Sequence, residues 1–195
     1  MGSYHHGDLR KALIEAGQRA IHQRGEHALS LRKLASEVGV SHTALYRHFP
    51  NKQALLGGIA ARGFGALAQR TRQASEAADD REQSLVAAGQ AYVAFALEQP
   101  AAFRVMFRAH PDPSPELQRA AEASFEVLLD VVRQGQHAGV VRAGDLRELA
   151  LVAWASAHGL ASLLVDDALP PGLQHPPLSP ASIGRQAVTG LLRRT

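Results

Sequence analysis

Between residues 30 and 49 the sequence reads SLRKLASEVGVSHTALYRHF, and four of its side chains carry recognisable chemistry: His42, Thr43, Tyr46 and Arg47. Steps of one, three and four residues place all four on one side of a helix, if the segment is helical. A guanidinium and an aromatic ring beside hydroxyl and imidazole groups suit a DNA groove, where base edges and phosphates supply hydrogen-bond partners. The plainer reading is a solvated basic face, which charge alone favours.

Local patterning supplies the elements that would position these groups. Leu9, Leu13, Ala16, Ala20 and Ile21 recur at three- and four-residue steps, with Asp8 at the cap position and Gly25 beyond the end, which predicts a helix from Asp8 to Arg24. Ser30 caps a second, short helix bearing Leu31, Leu34, Ala35 and Val38, which stops at Gly39. Ser41 caps a third, to about His48. Residues 30 to 49 thus read as helix, three-residue turn, helix, the helix-turn-helix arrangement. Leu34, Ala35, Val38, Val40, Leu45 and Phe49 are expected to pack the pair together and onto the first helix. Pro50 and Asn51 make a break, and Lys52 opens a long fourth helix to about Ala77.

The remainder is helical in pattern. Leu85, Gly89, Tyr92, Val93 and Ala96 line one helix, Pro100 starts a short one through Phe103 and Phe107, and Leu117, Ala121, Ser124, Leu128 and Val131 line another. HPDPSP, residues 110–115, joins the last two. Residues 149–165, LALVAWASAHGLASLLV, hold no charge and sit at the short end of the roughly 17 to 25 residues of a membrane span. Their alanines, serines, glycine and histidine make them weakly hydrophobic, so a helix buried on most sides is expected and no membrane crossing. One side would pack on its own domain and the other on the same helix of a second subunit. LPPGLQHPPLSP, residues 169–180, is a proline-rich loop, and a last helix is expected from Ala181 to Arg193. No strand or repeat is found, so the expected fold class is all-α.

Composition bounds the function. The chain has 195 residues, 46% of them hydrophobic, enough for one large domain or two small ones. It contains no Cys, which excludes a disulfide framework and thiolate chemistry and points to the cytoplasm; no secretory signal is expected at its start. Net charge is only +3, yet through Lys52 there are eight Lys/Arg against four Asp/Glu, and afterwards thirteen against fourteen. All three lysines and six of the ten histidines also lie in that first part, as a polyanion-binding segment requires.

YHHGDLRKALIEAG, followed by ALSLRKLASEVGVSHTALYRHFPNKQALL, resembles the TetR family of bacterial transcriptional regulators. That resemblance extends over essentially the whole chain. WASAHGLASLLV, with Trp154, His158 and Gly159, resembles the W-x-x-x-H-G signature of one C-terminal domain type in the family. YHHGDLR therefore reads as native sequence rather than a purification-tag remnant, and only MGS resembles vector residue. The resemblance implies a helix-turn-helix DNA-binding domain over residues 5–65 and a larger helical ligand-binding and dimerisation domain over residues 66–195. It places His42, Thr43 and Ala44 at base edges and Arg32 within reach of a guanine, with Tyr46, His48 and Lys52 on phosphate; His42 either donates to guanine or reaches a phosphate, and Ser41 and Arg47 complete the candidate surface. Elementary chemistry agrees: Lys52 adds charge to a helix N-terminus, Tyr46 offers a phenolic donor and Arg32 a bidentate fork. Tyr4, His5 and His6 are candidates for an arm along the DNA, and an unstructured terminus is the alternative.

The resemblance further implies a homodimer, joined through the Trp154 helix and the last helix, that binds a palindromic double-stranded operator and is released by a small-molecule effector, most often as a repressor. Tyr92, Phe95, Phe103, Met106, Phe107, Phe125, Trp154 and His158 are the candidates to line an effector cavity; core packing is the alternative for each. Arg104, Arg108 and His110 are polar groups that either orient a ligand or flank a loop. An enzyme is not expected: no His-Glu-x-x-His helix, Gly-x-Ser-x-Gly elbow or Gly-Lys-Ser/Thr loop occurs. GGIAARGFG, residues 57–65, lies inside a helix with no strand before it, which favours close helix packing over a dinucleotide loop. The histidines lack metal-ligand spacing, so no metal or cofactor is expected. A ligand-free architectural DNA-binding protein would not need the second, aromatic-bearing domain.

Overall fold

The structure, a computed structural model, describes residues 6–170 and 179–192. The described chain is helical throughout: α1 (His6–Arg24), a 3-10 turn (Glu26–Ala28), α2 (Leu31–Val38), α3 (His42–His48), α4 (Lys52–Glu76), α5 (Arg81–Glu98), α6 (Pro100–Phe107), α7 (Pro115–His137), α8 (Leu146–Val165) and α9 (Pro180–Thr189). Tyr4 and His5, and residues 171–178 of the proline-rich loop, lie outside the described residues.

Short polar side chains start these helices. Ser30 accepts from the Lys33 amide, Ser41 from Ala44 (3.1 Å), Asn51 from Ala54 (2.8 Å), Asp80 from Gln83 (2.8 Å) and Asp145 from Arg147 and Glu148 (2.9 Å each). Each satisfies an amide that the first helical turn leaves without a partner. Gly39 ends α2 in the left-handed region (φ 76), where a side chain would be strained.

The chain divides into two compact units. The first runs to Phe64 and takes in Pro100–Ala121; the second comprises Gly65–Gln99 and the chain from Glu122 onward. The change of unit falls inside α4. The first unit also takes in α6 and the start of α7. Their packing explains it: Phe107 meets Phe64 edge-on at 5.2 Å, and Met106 fills the space beside Gly63, where an added Cβ would come within 2.5 Å of the sulfur. Gly58 likewise admits Phe49, so two glycines of the 57–65 run serve close packing as expected.

In the first unit Leu13, Leu34, Leu45, Leu55, Leu56 and Phe49 are almost wholly buried. In the second, Leu85, Val86, Leu129, Val132, Leu149, Val188 and Leu191 form the core. There α5 and α9 touch backbone to backbone, because Gly89 and Gly184 carry no side chains; a Cβ on Gly89 would stand 2.6 Å from the Gly184 carbonyl oxygen. The last helix ends at Thr189 rather than at Arg193. Leu191 and Leu192 turn back instead, the Arg142 amide donating to the Leu191 carbonyl at 2.9 Å and Val141 pairing with Leu192 as an isolated antiparallel bridge.

Within this chain the α8 helix is covered on one side. It is long and apolar enough to cross a membrane by length and composition, yet only 28% of its most apolar window is buried. Leu149, Ala150, Ala153, Ala157 and Ala161 face the core, while Leu151, Val152 and Leu163 are 52%, 55% and 42% exposed. An apolar side of the helix thus stands exposed among the described residues.

Candidate nucleic-acid interface

Two buried anchors determine what α3 presents. Leu45 is fully buried and Phe49, just past the helix, nearly so. Helical geometry then turns His42, Thr43, Tyr46 and Arg47 outward, and all four are exposed, Tyr46 to 49%. Arg32 and Lys33 on α2 are exposed as well. Of the remaining candidates, Ser41 is exposed with its oxygen engaged as the α3 cap, and Ala44, His48 and Lys52 are half-buried. The Phe49 anchor is itself held, with the Arg10 guanidinium 5.3 Å over its ring and also paired with Glu116 of α7.

Lys52 occupies a position that sequence reasoning did not foresee. Its ammonium donates to the backbone carbonyl of Glu26, in the 3-10 turn, at 2.7 Å. An ammonium has three donors, so two remain for other acceptors. The Glu26 carboxylate in turn pairs with Arg108, whose second guanidinium nitrogen donates to the Gln53 side-chain oxygen at 2.9 Å. A carboxylate and two cations from three separate stretches therefore converge four residues past the end of α3. Arg108 stands 82 residues from Glu26, and no local pattern signals the pairing.

The expected lining residues are divided between the units. Phe103, Met106 and Phe107 belong to the first, with Phe103 and Phe107 at 4.9 Å. Of the polar groups beside them, Arg104 is exposed, and His110 donates to the Val105 carbonyl at 2.9 Å. Tyr92, Phe95, Phe125, Trp154 and His158 belong to the second unit, with Phe95 fully buried in its core.

Tyr92, Trp154 and His158 form one polar cluster. The Tyr92 hydroxyl lies 2.8 Å from His158 Nδ1, the Trp154 and His158 rings stack at 5.2 Å, and Phe125 meets Trp154 edge-on at 6.4 Å. His158 Nε2 lies 3.4 Å from the Ser162 hydroxyl. Burial pushes the Tyr92 phenol well above its usual range, and burial lowers His158 below the ordinary imidazole value. A cavity of about 280 Å3 in the same unit is lined by Ala74, Ala77, Val86, Ala87, Gln90 and Arg185 among others, and by none of the candidate residues.

Comparison with known proteins adds to this geometry. Residues 13–59 match the family model described as bacterial regulatory proteins, tetR family, and residues 85–189 match that described as tetracyclin repressor-like, C-terminal domain. The HTH-type transcriptional activator FasR of Mycolicibacterium smegmatis is 28% identical over 129 residues, which span 64% of this chain and 59% of that protein. A protein of unknown function from Rhodococcus sp. RHA1 is 32% identical, with a TM-score of 0.81 over 99% of this chain and 100% of its own. The fold also matches the TetR family transcriptional regulator PfmR from Thermus thermophilus, with 22% identity and a TM-score of 0.67 over 93% and 97% of the two chains.

Proposed function

The chain belongs to the TetR family of bacterial transcriptional regulators, and on that premise we propose that it binds a palindromic operator as a homodimer and leaves it when a small molecule binds. The family is one of DNA-binding regulators, not of enzymes. The observation that carries the reading is the outer side of α3, where His42, Thr43, Tyr46 and Arg47 stand exposed over the buried Leu45. In this reading His42, Thr43 and Ala44 meet base edges in the major groove and Arg32 reaches a guanine. Tyr46, Arg47, His48 and the two remaining donors of Lys52 bind phosphate, with Ser41 at their margin.

The exposed apolar residues of α8, together with α9, support a second copy as the dimer partner, which fixes the spacing of the two reading helices. Tyr92, Phe95, Phe125, Trp154 and His158 are the groups proposed to answer an effector, with the Tyr92–His158 pair as the polar recognition element in an apolar setting. The effector shifts the operator-binding equilibrium by its differential affinity for the two states and no more. Residues of α4 belong to both units, which makes that helix the proposed connector. The protein acts in the cytoplasm, where the operator is.

A repressor is the first reading. The relative FasR is named an activator, and that resemblance favours activation as the second. Selection of bound duplexes from a random pool, with elution by a panel of small molecules and a reporter driven from the selected site, tests all of this. An enriched inverted repeat, released by one compound class and silencing the reporter, is expected. Raised reporter output selects activation, and a pool without a motif refutes the regulator reading.

A further inference from the structure

Arg108 lies on the Glu26 carboxylate, and Glu26 holds Lys52 through its backbone oxygen. The Arg108 and Glu26 side chains are 23% and 31% exposed, so the pair is only partly screened by water. With Arg108 present, the cluster of Lys52, Glu26 and Arg108 carries a net charge of +1; without it, the carboxylate cancels the lysine. The neutral Gln53 oxygen takes a further Arg108 donor at 2.9 Å and holds the guanidinium in place.

We propose that Arg108 is a positioning residue for DNA binding: by neutralising Glu26 it keeps a carboxylate from repelling phosphate at Lys52, without touching DNA itself. The inference rests on the proposed phosphate contact of Lys52 and adds to it a residue just past the end of α6, outside the helix-turn-helix. Binding that neutralises phosphates weakens linearly in logarithm with salt, by about 0.9 per phosphate contact. Loss of one effective positive charge is therefore legible as a slope, which a merely structural residue does not move.

The test titrates the full-length protein against a fluorescent duplex of random sequence over a range of salt. Arg108→Ala is expected to weaken binding by about three- to tenfold and to lower the salt slope by nearly one ion. Adding Glu26→Gln to Arg108→Ala restores both, because the uncompensated carboxylate is gone. Glu26→Gln alone retains Arg108 and binds at least as tightly as the parent, which keeps the test valid if Arg108→Ala unfolds. Lys52→Ala lowers affinity and slope, and Glu26→Gln does not restore them. An Arg108→Ala defect that Glu26→Gln leaves untouched would overturn the proposal, as would an unchanged slope in Arg108→Ala. A Lys52→Ala slope equal to the parent's removes the Lys52 contact instead, which separates failure of the underlying reading from failure of this one.

Discussion

Tyr46 and Tyr92 carry the same phenol in opposite surroundings, one half exposed on α3 and the other buried against His158. Removing the Tyr46 ring takes nothing from the core, so Tyr46→Ala should change unfolding free energy by less than about 0.5 kcal/mol. It should nevertheless weaken binding to all duplexes alike and flatten the salt dependence, as titrations at several salt concentrations will show. At His158 the prediction concerns pH. Burial lowers its folded pKa, so the unfolded chain takes up the proton first as pH falls through about 6.5, and unfolding is favoured below that value. The stability due to neutral His158 is present above the unfolded pKa and is lost as pH falls through the folded one. Thermal melts from about pH 7.5 to pH 5 should show the parent losing more stability than His158→Phe; parallel curves would dismiss the effect. The outward set on α3 was legible because one helical period decides it. The partners of Lys52 and Tyr92 were not, since 26 and 66 residues separate them from Glu26 and His158.

Helix ends were legible for the same local reason. Ser30, Gly39 and Ser41 act within one turn of themselves, and each ends or begins a helix where its chemistry demands. Ser30→Ala should cost about 1 kcal/mol in urea unfolding, the usual worth of an N-cap. The meeting of α5 and α9 was not legible, because nothing near Gly89 announces Gly184. Gly184→Ala places a methyl group against the backbone of Gly89 and Gln90, where no rotamer can relieve it. We expect a loss of about 2 kcal/mol or more, measured by the same unfolding experiment; a loss under about 0.5 kcal/mol would show that α9 moves aside freely. Reading the last helix through to Arg193 overran because Leu191 and Leu192 are as apolar as a helix face, whereas their partner is Val141.

At the scale of the whole molecule, three of the exposed large hydrophobic side chains among the described residues, Leu151, Val152 and Leu163, lie on α8. Leu151→Glu with Val152→Glu should yield monomers in light scattering and remove preference for an inverted repeat, while salt-dependent binding to random duplexes persists. A dimer that survives both changes would exclude α8 from the interface. The affiliation of α6 with the DNA-reading unit escaped sequence reasoning because a short helix takes its partners from tertiary packing, and Phe103, Met106 and Phe107 look the same against either unit. The turn beyond α9 has a consequence for spectroscopy. The Arg142 amide is protected by the Leu191 carbonyl, so deuterium uptake at that single site times each undocking of the last helix, and it does so without a label or a mutation.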